Sequence, residues 1–546
     1  MDAVKTLWKA LMMVRRCDSK AFALKVLYVV LGSVFPLLNL VILKLLIDTV
    51  TTVVAHQGAV DVAQLVMYIV AFCAIFLLNR LISILNGVNG DVLSQKLIDY
   101  ISDNLQRQSV SLDMAYYDNP DFHDTFHRAQ QEANYRPIQI VNHFMNLIGA
   151  LVSIVGVSVM LVTGSWWIII VMLVAVVPSM LVRLVKARTI YEFRRNNTQD
   201  YRRTSYYSAI LTHRDFAKEV RTFGLAGYFR SRFVSMRKKL VRQLLRISRR
   251  IAWMDTLCAV VETGALALVV LLLLNKSISG AITIGSFVML FEAFRRGQGY
   301  LSSFVGAVSG LYDSRLFIGN LFEFLELEPN IVSAPEAQDF PVEVNSVTFE
   351  DVTFRYPDMH RDVLSHYSWT ARRGEINLIE GENGFGKTTM LKLLLRLYDT
   401  QFGSVKINDV DVRDIDLHQL RKGIGVIFQD YVRFYCSVNE NIAFGDIDNY
   451  SEDRIKQVGE MAGVDSIVRN LPNGYETPLG RMFDNGEELS MGQWQRIALA
   501  RQFYSDAPVL VFDEPTAWMD IPSREKFYSI LEDLKREKVV ILIKHV

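Results

Sequence analysis

Cysteine is scarce in this 546-residue chain: Cys17, Cys73, Cys258 and Cys436 are scattered along it with no CxxC pair. That scarcity excludes a zinc ribbon and a disulfide framework, which need cysteines at short, paired spacing, and free thiols are expected. Net charge is nearly absent too, at +1. A phosphate backbone demands a concentrated basic surface, so nucleic acid is excluded as a partner. No internal repeat or low-complexity tract is present. What the chain has in excess is apolar residues, 51% of the whole. The excess is confined to the first half, and the second half has ordinary globular composition. The length is sufficient for two or more domains.

Six apolar runs in the first half are each long enough to cross a bilayer, which takes about 20 helical residues. They cover 22–46, 63–84, 138–161, 166–184, 251–274 and 282–300. Buried helices of a large soluble protein would not repeat this length six times. Pro36 and Pro178 fall inside two runs, where membrane helices tolerate proline. Lys and Arg crowd 183–250 with few acids, whereas the connections after the first, third and fifth runs have almost none apart from Lys276. The positive-inside rule therefore puts both termini and the second half in the cytoplasm. The odd-numbered connections are short, as at 163–165. The two long, polar even-numbered ones suit helices that continue past the membrane, where about twenty further residues reach some 30 Å at ~1.5 Å each.

Before the first run, Val4, Leu7, Trp8 and Leu11 recur at helical spacing among Lys5, Lys9, Arg15 and Arg16. This is the pattern of an amphipathic helix on a lipid surface. The continuous apolar core and cleavage site of a signal peptide are missing. Pro329, Pro335 and Pro341 mark 327–345 as a linker between a domain at 1–326 and another at 346–546. In the latter, 347–356, 376–379, 509–512 and 539–543 have strand character and 389–397 is helical. The predicted fold is multidomain, an all-α six-helix transmembrane domain followed by an α/β domain. Glu262 and Glu292 fall near the midplane of the fifth and sixth runs, with Asp255, Arg295 and Arg296 nearer one end. Such charges are costly in a bilayer. They either line a polar pathway that attracts a basic substrate or pair internally to hold the bundle.

Residues Gly381, Glu382, Asn383, Gly384, Phe385, Gly386, Lys387 and Thr388 match GxxxxGK[ST] in full, directly after an apolar strand and before a helix opening with Thr389. The glycines let backbone N–H groups wrap phosphates at a helix N-terminus. Lys387 would pair with the β- and γ-phosphates and Thr388 would ligate Mg²⁺. Asp513, at the end of the 509–512 strand, would hold the same ion. Glu514 would orient or deprotonate an attacking water; the alternative for this pair is to cap the next helix.

Upstream of that strand, Leu489-Ser490-Met491-Gly492-Gln493 resembles the signature of ABC ATPases, and six spans followed by an ATPase in one chain resemble ABC exporters. The run from Gly486 to Arg496 looks most like bacterial peptide exporters. The resemblance implies an α/β P-loop ATPase domain using ATP and Mg²⁺. It implies that adenine stacks on Tyr356, that Gln429 senses Mg²⁺ or the γ-phosphate, and that His545 touches the γ-phosphate. It also implies that Ser490, Gly492 and Gln493 contact ATP on a second subunit, with Asp520 across the interface. With one loop and one signature the chain is a half-transporter that pairs with itself or a related chain. Coupling segments are expected at 119–127 and 215–223, around Tyr117-Asp118-Asn119-Pro120 and Lys218-Glu219-Val220-Arg221. Otherwise these are surface turns of the helical bundle.

The expected function is ATP-driven export across a bacterial cytoplasmic membrane, of a peptide or, in the alternative, of a lipid or drug. A nucleotide-gated channel or sensor would use the same motifs, but Glu514 argues for turnover. No peptidase-like segment precedes the first run, so a peptide cargo would be processed elsewhere or need no processing. Met491 stands where the signature has glycine, and Lys544 where serine precedes the histidine. The chain stops at Val546, where family members continue, so a truncated domain with an uncovered sheet edge is expected.

Overall fold

The computed structural model describes residues 2–56, 62–119, 126, 136–357, 359–382, 384–517 and 519–545. The chain forms two compact units, one of residues 1–109 and 125–326, the other of 110–124 and 327–546.

The first unit is helical. Asp2–Cys17 is followed by the long helices Ser19–His56, Val62–Ser111, Arg136–Gly164, Trp167–Asn196, Ala226–Ile278 and Ile284–Leu325. Five of the six are long and apolar enough to cross a membrane, by length and composition. Ile284–Leu325 falls short because Glu292, Arg295 and Arg296 interrupt its apolar run. It still packs on Ser19–His56 and Arg136–Gly164, and Leu290, Ala293 and Phe294 join Leu40 and Leu161 in a common core.

The charges in this run meet partners within the unit. Arg295 Nη2 lies 2.9 Å and Arg296 Nε 3.6 Å from Glu292 Oε2. Glu262 accepts a hydrogen bond from the Ser179 hydroxyl. Internal pairing is thus what the structure contains at Glu292. At the opposite end of the spans Lys276 Nζ donates to Gly164 O at 3.2 Å, tying the short connection to a neighbouring helix. The helices that hold the fourth and fifth apolar runs continue past them and are joined through Thr198–Thr212 and Arg214–Thr222. The latter is the 215–223 segment. Of the 119–127 segment, 120–125 and 127 lie outside the described residues. All four cysteines are free thiols.

The second unit holds two sheets. Strands β1 (Ser346–Phe354), β2 (Leu364–Arg372), β4 (Phe402–Ile407) and β5 (Val410–Asp411) form an antiparallel sheet in the order β2-β1-β4-β5. Strands β3 (Ile376–Gly381), β6 (Ile424–Ile427), β7 (Val509–Asp513) and β8 (Val539–His545) form a parallel sheet in the order β3-β8-β7-β6. The antiparallel sheet was not foreseen as a separate layer. β8 lies inside the parallel sheet, whose edges are β3 and β6. Every residue of β7 is buried, as a central parallel strand requires. Burying each such Val or Phe contributes about 1.5–3 kcal/mol before entropy is counted.

The 327–345 stretch is docked on this unit: Gln338 N donates to Asp414 O at 2.7 Å, and Ser333 Oγ to Asp416 Oδ2 at 2.9 Å. A short helix from far upstream, Met114–Asp118, belongs here too. Asp113 accepts from the backbone N–H of Asn330 and Ile331 at 2.6 and 3.2 Å, and Ala115 packs on the core. A linear cut at residue 326 separates these partners.

Candidate nucleotide site

The parallel register assembles the site. Gly381 is level with His545, and Asp513 with Ile543, so the loop after β3 and the ends of β7 and β8 share one edge of the sheet. That edge is where ligands bind in open parallel sheets. Gly386 caps the helix Lys387–Leu394 in a left-handed conformation, φ 89°, and a Cβ there would lie 2.8 Å from Leu364 Cδ2. Only glycine suits both demands. Asn383 lies outside the described residues.

Lys387 is buried, and its ammonium donates to Gly381 O and, at 3.3 Å, to Lys544 O. The chain thereby holds Lys387 beside the loop through main-chain carbonyls. The Lys544 side chain turns away and places its ammonium 4.7 Å from the centre of the Tyr528 ring, so serine's replacement there leaves the backbone contact intact.

Thr388 Oγ1 lies 3.4 Å from Asp513 Oδ2. Burial pushes the Asp513 carboxyl above its usual range, opposed by the Thr388 hydrogen bond and the Lys387 charge. Among the described residues no three His, Cys, Asp or Glu side chains form a metal cage. Mg²⁺ needs none when one carboxylate and one hydroxyl combine with phosphate oxygens, so the donor set fits this ion.

Glu514 follows with φ 49°, an uncommon conformation for a non-glycine residue, fixed by its N–H donating to Ile543 O at 3.2 Å. Gln429, two residues beyond β6, donates from Nε2 to Glu514 Oε2 at 3.2 Å. Tyr356 lies just past β1; its hydroxyl is 3.1 Å from Thr389 Oγ1, and its ring meets Phe354 and Tyr398 edge-on. The Phe385 ring is half exposed, edge-on to Tyr367.

The signature residues do not join this cluster. Ser490 caps the helix Met491–Tyr504, and Gln493 closes a capping box by accepting from the Ser490 N–H at 2.8 Å. The helix N-terminus is exposed, a suitable end for an anion. Asp520 precedes the helix Ile521–Leu534, with Arg496 Nη2 at 3.9 Å. Hydrogen bonding to Ser523 holds its carboxyl below the usual range, with the Arg496 charge assisting.

Three residues escaped the sequence reading. Buried Gln495 donates from Nε2 to Pro515 O, tying the signature helix to the Asp513-Glu514 strand end. Arg501 bonds Asn441 O at 2.8 Å and Asn441 Oδ1 at 2.9 Å over the Phe434 ring, and burial lowers its pKa to about 10. Arg433 approaches Met491. A polar side chain on the buried face of a helix would have flagged Gln495 and Arg501; nothing local flags Arg433.

A phosphate loop, a carboxylate pair at a strand end and a set of membrane-length helices define an ATP-driven membrane transporter. The chain belongs to the ABC transporter family: residues 21–296 match the ABC transporter transmembrane region, and residues 364–517 match the ABC transporter model. It is similar to the subtilin transport ATP-binding protein SpaT of Bacillus subtilis, 24% identical over 99% of this chain and 88% of that protein. The nisin transport ATP-binding protein NisT of Lactococcus lactis subsp. lactis is 26% identical over 94% of this chain and 82% of that one. In fold it matches a bacterial Atm1-family ABC exporter solved with ATP bound, with a TM-score of 0.74 and 21% identity over 98% of this chain and 91% of that one. It is an integral membrane half-transporter that couples ATP hydrolysis to export.

Proposed function

We propose that this chain is one half of a dimeric peptide exporter of the bacterial cytoplasmic membrane. The partner is a second copy or a related chain, and ATP lies between the phosphate loop of one subunit and the signature of the other. The observation that carries the peptide reading is that similarity to the subtilin and nisin transport proteins spans nearly the whole chain, membrane half included. The membrane half is what meets the cargo. Having one loop and one signature, the latter at an exposed helix N-terminus apart from the loop, supports pairing. The basic crowd at 183–250 supports a cytoplasmic ATPase. Residues 1–326 would form the membrane domain and 346–546 the ATPase, with 327–345 and the Met114–Asp118 helix docked on the latter.

In this reading Thr388 and Asp513 would hold Mg²⁺ with Gln429 nearby, and the ion would supply positive charge against the β- and γ-phosphates. Lys387 pairs with those phosphates, and Tyr356 offers its ring to adenine. Glu514, steadied by Gln429, accepts a proton from water as the water oxygen attacks the γ-phosphorus and the bond to the β-phosphate oxygen breaks. His545 would contact the γ-phosphate, Ser490, Gly492 and Gln493 the partner's nucleotide, and Asp520 the interface.

The test is ATP hydrolysis by the purified chain in lipid nanodiscs beside Glu514→Gln, followed by uptake of a labelled peptide into inverted vesicles. Turnover lost in Glu514→Gln with ATP binding retained, and uptake that requires turnover, are expected. Hydrolysis without peptide uptake would reject the cargo.

A further inference from the structure

We propose that a polar cavity in the membrane unit binds the carboxylate end of a peptide chain, an inference that rests on the peptide reading and specifies the chemistry of recognition. The cavity measures about 810 Å³ and is walled by Ser19–His56, Val62–Ser111, Arg136–Gly164, Trp167–Asn196 and Ile284–Leu325. It lies toward the end of the spans where Lys and Arg crowd. That volume falls in the range of small-ligand sites, roughly 300–1,000 Å³, enough for a few residues and not for a folded peptide.

The lining is chemically one-sided. Among the described residues it includes the Arg183 guanidinium and the His143 imidazole and no carboxylate. Arg183 is held in place by donating from Nη1 to Ser302 O at 3.0 Å, which leaves the rest of its planar fork to meet an anion. Glu292 is paired with Arg295, Glu262 accepts from Ser179, and neither lines the cavity. A cavity with this balance repels a basic group and favours a carboxylate.

The remaining wall suits amides. Asn86 lines the cavity and contributes a carboxamide to its wall. Ser33 and Ser303 spend their protons on Val29 O and Gly299 O, so their oxygens remain as acceptors. The carboxamides of Asn79 and Asn146 bring both donors and acceptors. Acceptors for N–H and donors for C=O around one cationic corner match a peptide backbone that ends in a carboxylate. Of the two readings of Glu262 and Glu292, attraction of a basic substrate and internal pairing, this charge preference accords with the second.

The experiment uses the full chain in nanodiscs of neutral phosphatidylcholine, and anisotropy of a fluorescein-labelled alanine hexamer with a free carboxylate or a terminal carboxamide. The carboxylate form should bind about tenfold more tightly, the scale of one charge-assisted contact. Arg183→Gln should erase the difference, Arg183→Lys should keep some of it, and Asn86→Leu should weaken both forms. Elution and thermal transition establish that each variant is assembled. Equal binding of both forms, unchanged in Arg183→Gln, would overturn the site while leaving peptide export standing. Binding of neither form, with phosphatidylglycerol raising hydrolysis in an Arg183-dependent manner, would overturn both in favour of a lipid headgroup.

Discussion

Arg433 Nη2 lies 2.9 Å from Met491 Sδ, and the hydroxyl of Tyr431, two residues before Arg433, donates to Met491 O at 3.2 Å. The residue that replaces glycine in the signature is thus gripped by the segment that follows Gln429. Since Gln429 itself bonds Glu514, a chain of contacts runs from the Glu514 carboxylate to the signature within one subunit. Met491→Ala keeps a good helix former at the first helical position and removes the sulfur. A weak contact of this kind is worth about 0.5–1 kcal/mol. The KM for ATP should rise by about two- to fivefold with little change in thermal midpoint, and Arg433→Ala should reproduce it. An unchanged KM in both would dissolve the link.

Tyr398 donates its hydroxyl to Asp118, joining the upstream Met114–Asp118 helix to the ATPase core. Burial first, and the bond to Asp118 second, push the phenol well above its usual pKa, so it stays a donor throughout the working pH range. Tyr398→Phe leaves the ring's packing against Phe354 in place and removes the donor. A hydrogen bond to a charged acceptor contributes about 1.5–3 kcal/mol. The ATPase unit should melt earlier, by roughly 2–4 °C for each kcal/mol in a domain of this size, and peptide stimulation of hydrolysis should fall more than basal hydrolysis. Equal loss of both would reduce the contact to a stabilising one.

The phosphate loop, the strand-end carboxylates and five of the six spans were legible because each is a local pattern: a spacing of glycines, a run of apolar residues, two acids after a buried strand. The sixth helix was recognised by its run, although Glu292, Arg295 and Arg296 dilute its apolar character; their spacing of three and four along a helix lets them pair, which explains the tolerance. The Met114–Asp118 helix was not legible as a piece of the ATPase, since its partners Asn330, Ile331 and Tyr398 are more than two hundred residues away. The antiparallel sheet was missed for a related reason. β2 and β4 alternate polar and apolar residues only irregularly, and the bulges in β1 break the period of two.

Asp416 caps the helix Leu417–Lys422, accepting from Gln419 N at 3.0 Å and from the Ser333 hydroxyl at 2.9 Å. The backbone bond first and the hydroxyl second hold its carboxyl below the usual range. A depressed carboxyl contributes stability that is present above its unfolded pKa, about 3.9, and is lost as pH falls through the lower folded value. Asn caps as well as Asp but does not titrate. Asp416→Asn should therefore match the parent's thermal midpoint at pH 7 and lose less of it below about pH 4, whereas Asp416→Ala should melt earlier at both. Identical acid profiles for parent and Asp416→Asn would remove Asp416 from the acid response.

Gly445 sits where the helix Val438–Ala443 meets the signature helix Met491–Tyr504, and a Cβ there would lie 2.1 Å from Arg501 O and 3.1 Å from Ser505 N. Both obstacles are main chain, so no side-chain rotation relieves them. Arg501 binds the first helix from the same turn through Asn441. Gly445→Ala must therefore separate helices that Arg501 holds together, with an overpacking cost of about 1–3 kcal/mol. The ATPase transition should fall accordingly, and because the signature helix is the one displaced, hydrolysis should drop while ATP still binds the phosphate loop. Thermal unfolding and nucleotide binding measured on one preparation decide this. A stable variant with normal hydrolysis would mean that the helices separate freely, and the rigid passage from Asn441 through Arg501 to the signature would be lost as an explanation.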